Sequence, residues 1–239
     1  MNKFLMVVAL AAAAGAASAD VITQWNFNSV VADANTSTGT TLPSSGLGTI
    51  STLGGATSTF ASGDASGGSS DPATGDDSGF NTSTYPAQGT GSGTRGFEVV
   101  VSTLGFQNII AEFDRRTSNT SSRYVQVLFD AGSGFQSAGF VGATGIAGDT
   151  WVNNNAFSLP AAADNVAVLT LRFVAVFESV ATGNSNNNYV ASNPAPTVAY
   201  AAGGTLRYDM VEVLGTRIPA PASAALLGMG LVVVGRRRR

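Results

Sequence analysis

Residues 107–130 read QNIIAEFDRRTSNTSSRYVQVLFD, and this stretch decides the fold class. Over 107–116, Ile109, Ala111 and Phe113 fall on one side of an extended chain, with Glu112 and Asp114 on the other. A period of two is the mark of a strand with one face in a core and one toward water. Over 123–130, Val125, Val127 and Phe129 alternate with Tyr124, Gln126 and Leu128. The polar run Thr117 to Ser122 joins the two segments. Two alternating strands about a polar connection predict a β-rich domain.

The same pattern extends outward. Gly96 to Ser102 (GFEVVVS) predicts a strand before the pair. After it, Ala131-Gly132-Ser133-Gly134 carries hairpin turn chemistry, with Phe135 to Val141 as the return strand. Further strands are expected over 151–159, 165–177 and 204–214, and Val21 to Phe27 predicts a first strand with Val21, Thr23, Trp25 and Phe27 on one face. The segment 165–177 (NVAVLTLRFVAVF) is apolar on both sides, which suits a central strand covered on both faces. In 204–214, Leu206, Tyr208 and Met210 are expected to alternate with Arg207, Asp209, Val211 and Val213. Between Val30 and Thr94 the chain is Gly-, Ser-, Thr-, Ala- and Asp-rich, and here short strands with long connections, or a partly mobile segment, are expected. No amphipathic helix stands out between the ends. The expected fold is all-β, a β-sandwich of jelly-roll type. No repeat of 20–50 residues points to a propeller or solenoid.

Composition narrows the function classes. Charged residues are 11% of the 239, and the chain has no Cys and no His. That excludes a disulfide framework, thiolate metal sites and the usual imidazole base. The net charge of −3 includes five basic residues in the two end segments, Lys3 and Arg236 to Arg239. The part between them holds seven Arg, no Lys and fifteen acids, a balance of −8. Such a surface repels nucleic acid, so none is expected as a partner.

The ends carry addresses. Residues 1–19, MNKFLMVVALAAAAGAASA, have a positive start, an apolar run and an A-x-A site, so cleavage by signal peptidase is expected between Ala19 and Asp20. Residues 218–239, IPAPASAALLGMGLVVVGRRRR, place a 16-residue apolar stretch (220–235) before four arginines. As a helix it would span about 24 Å at ~1.5 Å per residue, short of a hydrocarbon core of ~30 Å but within reach of bilayer thinning and arginine snorkelling. The arginines would stay cytoplasmic and leave the domain outside. The expected division is therefore leader 1–19, β-sandwich 20–217 and tail 218–239, the low-complexity part being 30–94.

The tail, with Pro219, Ala220 and Pro221, an apolar helix, and Arg236, Arg237, Arg238 and Arg239, resembles the PEP-CTERM sorting signal of exopolysaccharide-producing bacteria. Here Pro-Ala-Pro stands in place of Pro-Glu-Pro. The resemblance covers about 22 of the 239 residues. It implies an inner-membrane intermediate, processing by an exosortase-like enzyme, and release to the cell surface or beyond. The order FDRR, TSNTSSR, YVQVLFD, a glycine turn and a late YDMVEVLG also resembles jelly-roll modules of secreted bacterial proteins, similar in shape to carbohydrate-binding and discoidin-like domains.

Candidate sites follow from what chemistry is left. Glu112 and Asp114, about 7 Å apart along a strand, could serve glycoside hydrolysis, with Glu98, Glu178 and Glu212 as further carboxylates. Solvated faces or pairing with Arg are the plainer reading. A serine nucleophile has neither a G-x-S-x-G turn nor a base. Asp71, Asp76 and Asp77 in a Gly/Ser loop suit a structural calcium, as does Asp20 at the domain edge, and no other cofactor is expected. Trp151 beside Asn153, Asn154 and Asn155 could form a sugar platform, against the alternative that the tryptophan is core. Arg115, Arg116 and Arg123 bracket the 117–122 connection and could hold an anionic polysaccharide, or else pair internally. The reading that results is an exported, non-catalytic surface or matrix protein associated with exopolysaccharide. The alternatives are a jelly-roll carbohydrate-binding module and, behind it, a carboxylate-dependent glycoside hydrolase.

Overall fold

The computed structural model describes residues 19–73, 75–142 and 148–219. The expected leader and tail therefore lie outside the described residues, apart from Ala19, Ile218 and Pro219. Among the described residues no helix is long and apolar enough to cross a membrane.

Two antiparallel sheets face each other. The first carries β1 (Asp20–Trp25), β2 (Ser45–Gly46), β4 (Thr57–Ser62), β5 (Ser78–Ser83), β7 (Phe106–Thr117), β10 (Trp151–Ser158) and β12 (Leu206–Arg217). Its main order is β10-β7-β12-β1-β2, with β5 also pairing β12 and β4 beyond it. The second sheet is β3-β6-β11-β8-β9, from β3 (Gly48–Leu53), β6 (Gly96–Val101), β8 (Tyr124–Asp130), β9 (Gln136–Gly142) and β11 (Leu169–Ala175). A short α-helix, α1 (Glu178–Thr182), closes against Gly183 in a left-handed conformation. The all-β sandwich read from the sequence is the fold.

The inner faces meet in an aromatic layer. Phe97 and Phe173 stack across neighbouring strands of the second sheet at 4.5 Å. Phe113 and Tyr208 from the first sheet meet Phe173 and Phe97 edge-on, at 5.0 and 4.6 Å. Edge-to-face contact sets the positive ring rim on the negative face, adding about 0.5–1.5 kcal/mol per pair to area burial. The alternations in β7 and β8 hold: Ile109, Ala111, Phe113, Val125, Val127 and Phe129 are all buried.

Three readings are corrected. Strand β11 is central, as expected, but its second face is buried only near its end. There Val174 joins Tyr124 and Val176 in a small outer cluster, while Arg172 reaches Glu98 at 2.7 Å. In β1 a register shift between Val21 and Thr23 leaves Val21 exposed, while Thr23, Trp25 and Phe27 are buried. In β12 the alternation changes phase: Leu206 and Tyr208 point inward, then Val211 and Val213. The change comes at Met210, whose φ of 43° lies in the left-handed region, within a shift between Asp209 and Glu212. A bulge inserts one residue and turns the following side chains over.

The low-complexity segment is built into the sandwich, supplying β2 to β5. The first and last strands are neighbours, with Asp20 opposite Gly215. Arg217 Nε donates to Asp20 Oδ2 at 2.9 Å.

Candidate functional site

The connection 63–77 runs between β4 and β5 and lies over the bulged part of the first sheet. Glycines 67 and 68 have positive φ and let it fold back on itself. Its base is tied by Gly63 N–H to Asp77 O (2.7 Å) and Ser69 N–H to Gly63 O (2.9 Å). The approach is so close that a β-carbon on Gly63 would overlap the Asp77 carboxylate.

Beneath the connection, β7 is flanked by bulges on both sides. One lies in β12 at Asp209–Glu212, the other in β10 between Val152 and Asn155, where Asn154 has a φ of 57°. Asp114 sits between them and is satisfied by backbone donors, Asn154 N–H to Oδ1 (2.7 Å) and Ser70 N–H to Oδ2 (2.5 Å). It therefore anchors the connection to β7.

Three carboxylates converge beside this anchor. Asp71 and Asp77 come from the connection and Asp209 from the bulge of β12, with one oxygen of each within 4.8 Å of the others. Asp71 is held by Asn28, whose Nδ2 donates to Oδ2 at 2.8 Å, and its Oδ1 accepts Ala73 N–H at 2.8 Å. The same Asn28 accepts Ser78 N–H through Oδ1 (2.8 Å), so one amide locks both ends of the acidic run. Asp77 is 1% exposed and Asp209 0%. Asp209 Oδ1 accepts Met210 N–H at 2.7 Å, while Asp209 Oδ2 and Asp77 Oδ1 have no hydrogen-bond partner among the described residues. Burial raises both groups, Asp77 to about 6 and Asp209 to about 10, the second also through its neighbour Asp77. Such a set of hard oxygens suits a cation of the calcium type.

The expected ligand set is thus regrouped. Asp71 and Asp77 belong to the cluster; Asp76 does not. Asp76 lies beside Asp33, and its carboxyl is raised by burial and then by that neighbour. Asp20 is engaged by Arg217. Asp209 was not singled out from the sequence, although one signal was there. In LRYDMVEV the apolar positions switch from even to odd numbers, and a phase slip places a bulge beside the aspartate.

The residues read as sugar or anion ligands are engaged by the protein's own groups instead. Trp151 is 7% exposed, and its Nε1 donates to Ala65 O at 2.9 Å. Asn153 Nδ2 donates to Gly68 O (3.1 Å), and Arg116 bonds Ser66 Oγ (3.2 Å) while pairing with Asp149. These three side chains clamp the connection onto the sheet. Asn155 Nδ2 bridges the β10 bulge to Val152 O (2.7 Å) and Phe113 O (3.0 Å). Arg115 is 1% exposed and donates to the carbonyls of Arg123 and Val141, at 3.3 and 3.4 Å. Arg123 Nε donates to Ala191 O at 3.2 Å. Neither the Trp151 platform nor a free arginine triad faces solvent.

The carboxylates proposed for hydrolysis are also distributed. Glu112 and Asp114 do not share an open face, since Asp114 is buried under the connection. Glu98 pairs with Arg172, Glu178 accepts Asn186 Nδ2 (2.7 Å), and Glu212 accepts Gln24 Nε2.

No protein-family model matches the chain, and no curated protein matches it significantly. Among solved structures it is similar to three adhesin domains of Lys-gingipain. The K2 domain has 9% identity and a TM-score of 0.37, covering 71% of this chain and 89% of that one. The K3 domain, from Porphyromonas gingivalis W83, has 14% identity and a TM-score of 0.36, over 70% and 90%. The K1 domain, from the same strain, has 12% and 0.34, over 73% and 100%. At these scores the likeness carries no functional conclusion.

Proposed function

We propose that this is an exported, non-catalytic surface or matrix protein, a β-sandwich module delivered by its leader and PEP-CTERM-like tail and associated with exopolysaccharide. One observation carries the reading: the sandwich is bounded by the two expected processing points. Strand β1 starts at Asp20, directly after the A-x-A site, and β12 ends at Arg217, two residues before Pro219-Ala220-Pro221. The two strands are antiparallel neighbours, so the leader and the tail leave the domain at one end of one sheet. Cutting at both points leaves every strand of the described residues in place. A chain tethered by its tail would hold the opposite end of the sandwich away from the membrane.

Its sandwich is of the jelly-roll kind. The chain passes between sheets at nearly every step from β5 onward, as in β6 to β7, β7 to β8, β9 to β10, β10 to β11 and β11 to β12. The engaged carboxylates support a binding or structural role over hydrolysis.

The test is the intact mass and location of the protein made in exopolysaccharide-producing cells, followed by co-sedimentation of the mature form with the extracted polysaccharide. The expected result is a surface or matrix species starting at Asp20, shortened at the C-terminus, that sediments saturably. A full-length, uncut protein in the periplasm would overturn the sorting part, and absence of sedimentation the polysaccharide part.

A further inference from the structure

Among the described residues, the cluster of Asp71, Asp77 and Asp209 lacks a countercharge. The described residues include no Lys and no His, so among them only seven arginines could supply one. Each is engaged elsewhere. Arg116, Arg172 and Arg217 pair with Asp149, Glu98 and Asp20. Arg95, Arg115, Arg123 and Arg207 donate to the carbonyls of Thr84, Arg123 with Val141, Ala191 and Ser62 respectively.

A buried carboxylate without a cation or a full set of donors is costly. Here two fully buried carboxylates each keep one oxygen without a partner, next to a third. One carboxylate oxygen from each of the three residues lies within 4.8 Å of the other two, a span that an ion with oxygen ligands at about 2.3–2.6 Å bridges. Magnesium demands ligands at ~2.0–2.1 Å in near-ideal octahedral order and gives up water reluctantly. Two donors on a connection and one on a strand bulge suit the larger, less exacting ion.

We infer that Asp71, Asp77 and Asp209 bind a calcium ion that fastens the 63–77 connection to the bulged strand β12. The ion joins chain segments more than 130 residues apart, the role a disulfide would play in an exported domain that has no cysteine. The neighbouring clamps from Asp114, Trp151, Asn153 and Arg116 hold the connection in register, and the ion neutralises the acids they bring together.

The experiment uses the full-length protein, stripped with a chelator and titrated separately with calcium and with magnesium. Binding is followed by calorimetry and thermal unfolding. The expected result is one calcium per chain, and a Tm about 5–10 °C higher at free calcium ~100 times Kd. Magnesium gives a much smaller shift at equal concentration. Asp209→Asn and Asp77→Asn each abolish the calcium shift, and Glu112→Gln keeps it. The ranking also inverts: without metal, Asp209→Asn unfolds no lower than the unsubstituted protein, and with calcium it unfolds lower. Should Asp209→Asn not fold, Asp77→Asn carries the same comparison. A Tm unmoved by calcium, an equal response to magnesium, or full calcium binding by both Asn variants would overturn the inference.

Discussion

The two sheets are made of the same kind of strand and do different work. In the second sheet, β6, β11 and β8 pair without a slip, and only the β8–β9 pair shifts, between Val127 and Leu128. The first sheet slips in β1, in β10 and twice along β12. Regular pairing keeps each side chain on the face its position assigns, so the acid Glu98 stays outside with Arg172 and the aromatics stay inside. Each bulge breaks that rule for one residue. Beside the slips of β10 and β12, Asp114 and Asp209 pair on the face opposite Tyr208 and Arg115, and the acidic connection settles over them and buries them. The regular sheet supplies packing; the irregular one supplies the polar centre.

That contrast can be broken or sharpened. The largest effect is expected at Phe173, which stacks on Phe97 and meets Phe113 edge-on. Phe173→Ala should cost about 3–5 kcal/mol in urea unfolding at fixed calcium. A loss under about 1 kcal/mol would mean that the second sheet does not hold the main core.

A smaller and qualitatively different effect belongs to the first sheet. In chelator, the stability contributed by the raised carboxyls of Asp77 and Asp209 is complete below pH ~4. It is lost as pH rises through about 6 at Asp77 and on toward about 10 at Asp209. Metal-free protein should therefore weaken from pH 5 to 8, and the Asp77→Asn, Asp209→Asn double variant should lose that slope. A flat profile for the unsubstituted protein would place the titrating groups elsewhere.

The smallest effect is expected on the outer face of the second sheet. The Glu98–Arg172 pair is partly exposed, at 24% and 31%, and Arg172 also lies over the Phe135 ring at 3.8 Å. Glu98→Gln should cost less than ~1 kcal/mol in the same unfolding assay. A cost comparable with Phe173→Ala would erase the distinction between the outer face and the core.

Legibility differed along the chain for physical reasons. The alternation of β7 and β8, the hairpin turn after Asp130 and the central place of β11 were readable because one-sided burial imposes a period of two. Strands β2 to β5 were not, since Gly, Ser and Thr there leave few apolar positions to count. Their pairing comes from partners more than ten residues away, as in β3 on β6. Asp71 and Asp77 were visible as acids of one loop. Their third member was not, because nothing local to Asp209 says which connection will lie over it.

The sequence alone determined the all-β class, the acidic balance and lack of Lys over residues 20–217, and the absence of thiol and imidazole chemistry, because these follow from residue types and near-neighbour spacing. Only the tertiary structure decided the roles of Trp151, Asn153 and Arg116, which the pattern offered as ligands and the fold uses as clamps on the 63–77 connection. It alone brought Asp209 to Asp71 and Asp77. The reason is that side-chain direction in a bulged strand, and the course of a long connection, depend on contacts between segments far apart in the chain.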